Sequence, residues 1–73
     1  MNILIVHNIN SVLVWLVNEP LDSAPAHIAN GYPELQAAWN ADELTAVVIE
    51  VPEDEAYSSD LYEVINGEVV RKP

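Results

Sequence analysis

Apolar positions fall into five short runs, separated by polar, proline- or glycine-bearing stretches. The first two runs are Ile3-Leu4-Ile5-Val6 and Val12-Leu13-Val14-Trp15-Leu16-Val17, with the polar bend Asn8-Ile9-Asn10-Ser11 between them. Successive strand side chains point to opposite faces, so Ile3 and Ile5 share one face and Leu4 and Val6 the other. By the same count Val12, Val14 and Leu16 oppose Leu13, Trp15 and Val17. A half-exposed strand alternates apolar and polar residues, whereas unbroken apolar runs mean that both faces are covered. The runs are short, β-branched and flanked by asparagine, which favours strands over helices. Residues 1–18 carry no charged side chain. They lack the positive n-region of a signal peptide, and Asn and His interrupt the apolar core. A membrane span needs about 20 uninterrupted apolar residues, which this chain does not have.

Asn18 to Gly31 contains Pro20 and Pro25 and reads as a connecting loop, with a short helical turn near Ala26–Asn30. A loop of this length in so small a domain is often a contact surface. Asn30-Gly31 marks a turn and Pro33 opens a helix. Glu34 is well placed against the helix N-terminus. Leu35, Ala38 and Trp39 form an i, i+3, i+4 stripe. The helix is expected from Pro33 to Asn40, with Asn40 as its left-handed stop and Trp39 plugging it into the sheet.

Thr45 to Val51 predicts the third strand, with Val47, Ile49 and Val51 on one face and Ala46, Val48 and Glu50 on the other. Pro52 ends it. Pro52 to Asp60 is an acidic loop. Tyr62–Ile65 and Glu68–Arg71 flank Asn66-Gly67, a strong hairpin signal, because a type I′ turn needs positive φ at both central residues. The expected fold is α+β: a small β-rich domain with an N-terminal hairpin, one short helix, a third strand and a C-terminal hairpin, spanning residues 1–73 as one domain.

Length and composition add a constraint. A 73-residue chain buries only about 60% of its unfolded surface. Small domains usually add disulfides, a metal or oligomerisation. There is no cysteine, so disulfides and thiolate zinc sites are excluded. With both faces of the first hairpin apolar, and one helix able to cover only one of them, the second face is expected to be covered by another chain. Leu4, Val6, Leu13, Trp15 and Val17 are the expected partner-binding residues, with Trp39 as a further candidate hot spot.

Twelve acids face two bases, for a formal charge of -10. Nucleic-acid binding needs a basic footprint and is excluded on charge, and anionic membranes are disfavoured for the same reason. The acids have three readings. They keep a greasy domain soluble, they form a surface that imitates DNA phosphates, carried by Glu50, Glu53, Asp54, Glu55, Asp60 and Glu63, or they dock on a basic partner without mimicry.

Chemistry is sparse. Glu53, Asp54 and Glu55 invite a calcium test, but their spacing does not match an EF-hand loop. His7 and His27 lie in no metal-ligand spacing. The serines have no nucleophile-elbow context, and two glycines cannot build a phosphate loop. The pattern points to a non-enzymatic protein without cofactor or metal.

Three features together form a wider pattern: the Val/Ile-rich opening hairpin with its Pro/Ala loop, the strand running into Val51-Pro52-Glu53-Asp54, and the closing segment Tyr62–Pro73 around Asn66-Gly67. This pattern resembles the small tail-associated proteins of bacteriophages, found as short open reading frames or as tips of tail-fibre polypeptides. The resemblance covers most of the chain. It implies a structural or assembly role in the virion, as a homo-oligomer or bound to a larger fibre or baseplate protein, with the protein in the virion or the host cytoplasm. It carries over no catalytic residue. The alternatives are a phage-encoded acidic inhibitor of a host nucleic-acid enzyme or defence system, and a toxin-neutralising or regulatory protein of similar shape.

Overall fold

The computed structural model describes residues 1–73. Strands β1 (Asn2–His7) and β2 (Val12–Val17) form the opening hairpin. Helices α1 (Ala24–Gly31) and α2 (Gln36–Asn40) follow, then β3 (Thr45–Glu50), β4 (Tyr62–Ile65) and β5 (Glu68–Arg71). Short 3-10 turns stand at Leu21–Ser23, Pro33–Leu35, Glu53–Glu55 and Ser59–Leu61. The α+β architecture read from the sequence is the one adopted.

The main sheet has the order β2-β1-β3, and β4-β5 forms a separate two-stranded sheet. Both β2 and β3 run antiparallel to β1, so they are parallel to each other. Strands in that relation need a crossover rather than a hairpin. Residues 18–44 supply it, and their helices cover one face of the sheet. There Leu4, Val6 and Val14 pack with Ala24 and Ile28 of α1, ringed by Leu16, Leu35, Trp39 and Val48.

After β3 the chain folds back over the opposite face. Ile3 and Ile5 pack with Val51 and Ala56, and Trp15, Val17, Val47, Ile49, Tyr62 and Val69 close around them. The second face, expected to stay bare without a partner chain, is therefore covered by the C-terminal third of the same polypeptide. Ile3, Leu4, Ile5 and Val6 are each 0% exposed. Complete burial stabilises each such side chain by about 1.5–3 kcal/mol.

Local chemistry explains most boundaries. In the first bend, the Asn8 side-chain oxygen accepts from the Asn10 N–H at 2.8 Å and the Ser11 N–H at 2.7 Å. An asparagine side chain here stands in for a backbone turn. Ile9 is left 66% exposed at the tip. Asn66 and Gly67 both have positive φ, 53° and 80°, as the type I′ turn requires.

Three local expectations change. First, the register passes from Val6↔Val14 to His7↔Val12, so Leu13 is an extra residue and a bulge forms. A bulge shifts the alternation of faces. Val12 packs with the Ile3/Ile5 layer and Leu13 with the Leu4/Val6 layer, the reverse of the simple count. Second, the stretch read as a loop with a short helical turn contains the eight-residue α1, with a proline in its first turn. Pro25 is tolerated there because that N–H has no intrahelical partner. Ala24 and Ile28, four apart, form the buried stripe. Third, α2 proper begins at Gln36 after a 3-10 turn over Pro33–Leu35. The left-handed residue after it is Asp42 (φ 59°), not Asn40.

Leu4→Ala is expected to lower unfolding free energy by about 2–5 kcal/mol, because it opens a cavity between β1 and α1. Ile9→Ala, at the exposed tip, is expected to stay within about 0.5 kcal/mol. Urea denaturation of the two variants checks the pair.

Candidate functional site

Trp15 fastens the C-terminal layer to the sheet. Its indole N–H donates to the Ala56 carbonyl at 2.7 Å, and Ala56 is 0% exposed. Its ring lies 5.4 Å from that of Tyr62, centroid to centroid, at an interplanar angle of 41°. Arg71 is paired with Tyr62 in the β4–β5 register. Its guanidinium stands 5.9 Å from the Tyr62 ring centroid and pairs with Glu55. Indole, phenol, guanidinium and carboxylate thus form one stack, from the middle of β2 to the acidic loop. Cation–π contacts of this kind contribute about 0.5–1 kcal/mol at exposed sites. The Tyr62 hydroxyl is held above its ordinary value, mainly by burial and then by the Glu55 carboxylate, with Arg71 opposing.

The residues expected to meet a partner through the hairpin faces are mostly internal. Leu4 and Val6 are fully buried beneath α1. Leu13 is half-buried in the same layer, and Trp15 and Val17 are half-buried in the other. Trp39 is half-buried against the α1 side of the core. The helical crossover shields Leu4, Val6, Leu13 and Trp39, and the C-terminal layer shields Trp15 and Val17 on the face that the helices leave open.

The six acids singled out divide. Glu50 accepts from the Met1 ammonium at 3.1 Å, and Glu55 is paired with Arg71. Glu53, Asp54 and Asp60 are exposed, and Glu63 is half-buried on β4. Of the other six acids, Glu19, Asp22, Glu34, Asp42 and Glu43 belong to the crossover between β2 and β3, and Glu68 to β5. Negative charge therefore lies on both outer layers. Sequence reasoning centred on residues 50–63 missed the share carried by the crossover.

Neither histidine gathers a ligand set. His7 is 3% exposed, and its Nδ1–H donates to the Asn8 carbonyl at 2.9 Å. His27 Nε2 lies 3.4 Å from Glu19 Oε2. No group of three His, Asp or Glu side chains is close enough to hold a metal ion. The one groove, about 310 Å³, is lined by Asn2, Asn18, Glu19, Pro20, Leu21 and Val48. Leu21 at its rim is 52% exposed.

What this domain presents outward, beyond charge, is sheet edge. The Val51 N–H donates to the Met1 carbonyl at 2.9 Å, and the Met1 amino group to the Val51 carbonyl at 2.7 Å. Hydrogen-bonded pairs alternate along an antiparallel ladder. Thr45, Val47 and Ile49 therefore turn their backbone groups toward β1, and Ala46, Val48 and Glu50 turn theirs outward. On β2, the bond from Asn18 N–H to the Asn2 carbonyl, 2.8 Å, sets the opposite phase. Val14 and Leu16 face β1, while Trp15 and Val17 face outward. No turn, loop or side-chain hydrogen bond reaches the backbone of either edge.

No family model, curated protein or solved structure matches this chain.

Trp15→Phe keeps an aromatic, though smaller, ring but leaves the buried Ala56 carbonyl without its donor, at an expected cost of at least about 1–3 kcal/mol by thermal denaturation. The folded chain also holds the Tyr62 proton more tightly than the unfolded chain does. That contribution to stability is complete below pH about 10 and is lost as pH rises through the raised value. In a Tyr32→Phe/Tyr57→Phe chain, phenolate absorbance is expected to rise above pH about 10 and to shift down to it on unfolding.

Proposed function

We propose that this chain is a non-enzymatic protein-interaction module of a bacteriophage particle, associated with its tail fibre or baseplate. One observation carries the interaction part. Both faces of the central sheet are sealed by the chain itself, while both edge strands keep outward N–H and C=O groups unpaired. Natural domains usually blunt such edges with lysine, proline or a covering element, because free edges pair with other chains. Here β2 and β3 contain neither lysine nor proline. The resemblance of the opening hairpin, the Val51–Asp54 segment and the closing hairpin to tail-associated proteins supports the setting. The docking route differs from the one expected of the sequence: partners meet backbone edges rather than the apolar hairpin faces, which are occupied.

A second reading, an acidic inhibitor of a nucleic-acid enzyme, is favoured by the charge. Ten net negative charges surround a chain in which Arg71 is already ion-paired, leaving Lys72 as the other base.

Purified particles of the phage encoding this chain are expected to contain it in a fixed ratio to the tail proteins, as read by quantitative mass spectrometry. A protein abundant in infected cells but absent from particles overturns the virion reading. Salt-sensitive competition with DNA for a nuclease then supports the second.

A further inference from the structure

We infer that the β3 edge binds an extended peptide segment with basic residues at both ends, which adds to the sheet as a fourth strand. This rests on the interaction-module reading and names the site and its partner. The outward backbone groups of Ala46, Val48 and Glu50 form the template, and a strand paired there lies about 4.8 Å from β3.

Charge selects the occupant. Asp42 and Glu43 precede β3 within three residues of its start. Glu50, paired with the Met1 ammonium, closes the strand, and Glu53 and Asp54 follow within four residues and carry the charge of this end. All five are exposed. Six residues of strand span about 20 Å, so the two acidic groups stand at opposite ends of one edge. They match an apolar segment with lysine or arginine at each end. They also oppose a second copy of this chain. A two-fold β3–β3 pair sets Asp42 and Glu43 of one copy against Glu50, Glu53 and Asp54 of the other, with -10 on each copy. Like charges brought together cost rather than stabilise.

The β2 edge lacks these features. It carries the Leu13 bulge at one end, with Asn8, Asn10 and Ser11 as its uncharged flank there, and at the other end a single acid, Glu19, which lies 3.4 Å from His27. Beside β3, by contrast, the groove walled by Val48 and Leu21 has Glu19 on its lining. Strand addition of this kind takes affinity from main-chain hydrogen bonds and specificity from pockets for alternate side chains.

The test uses a labelled synthetic peptide of alternating valine and threonine with two lysines at each end, beside the same core ended by glutamates. By fluorescence anisotropy the lysine peptide is expected to bind at least about tenfold more tightly than the glutamate peptide, and to weaken as salt screens the flanks. Amide NMR shifts are expected at Ala46, Val48 and Glu50. Val48→Pro removes an outward N–H that β1 does not use, and an edge strand tolerates it. It is expected to weaken binding about tenfold or more with the circular dichroism spectrum retained. Asp42→Lys with Glu53→Lys leaves every β3 backbone group in place, cancels the charge of one flank and most of that of the other, and is expected to remove most of the preference between the peptides in that variant. Equal binding of the two peptides, no binding, or a β3–β3 dimer in sedimentation overturns the proposal. Shifts confined to Trp15 and Val17 overturn the β3 assignment while leaving an interaction module standing.

Discussion

Keeping water off both sides of β1 is the constraint from which the rest of this fold follows. Its four central residues, Ile3 to Val6, have no exposed surface. A strand buried on two faces needs two covering layers and two neighbouring strands. The chain supplies the neighbours as β2 and β3. It supplies one layer from the helical crossover and the other from residues 51–71. Each layer is thin: α1 has eight residues, α2 has five, and the second sheet has two short strands. Helices and hairpins of that size are marginal alone. They are held by the sheet as much as they cover it.

Trp15 shows how the layers are joined. Its ring adds apolar area on the Ile3/Ile5 side, and its N–H answers a carbonyl that burial has cut off from water. A buried aromatic with a polar handle suits such a seam, because it fills space and satisfies a partner together. Arg71, stacked on Tyr62 and paired with Glu55, extends the same seam to the surface. Thus one of only two basic side chains is engaged by the chain's own Glu55 at the surface. The consequence for association is direct. The surface left over is acidic on both outer layers, and the groups with unmet hydrogen-bonding capacity lie along the sheet edges. Like charge discourages self-pairing, while free sheet edges are in general the places where other chains pair.

Much of the local structure was legible in the residues. The alternation of Ile3/Ile5 against Leu4/Val6, the two faces of β3 and the Asn66-Gly67 turn all stand as the pattern implied. Each depends on neighbours close in sequence: strand parity, or the φ preferences of asparagine and glycine. The misreadings have a common cause. Pro25 looked like a breaker until its place in the first turn of α1 made it harmless. Leu13 shifted the alternation because the bend closes with one residue more on β2 than on β1. Asp42, rather than Asn40, took the left-handed φ. In each case the residue type was compatible with either outcome; for Asp42 the choice was made by the bonds that close the helix, from the Asp42 N–H to the Trp39 carbonyl and the Glu43 N–H to the Ala38 carbonyl.

The candidate site was less legible, for a reason of the same kind. Composition and periodicity alone determined that this is a cysteine-free, acidic α+β chain built around an apolar hairpin with both faces buried, since those properties belong to residue types and their spacing. They could not say what does the burying. That depended on contacts between residues about 40 positions apart, such as Trp15 with Ala56, which leave no periodic trace. Only the tertiary structure decided that the crossover helices cover Leu4 and Val6 and that the C-terminal segment folds back over Ile3, Ile5 and Trp15, so that both hairpin faces are covered and the unpaired backbone lies along the edges of β2 and β3.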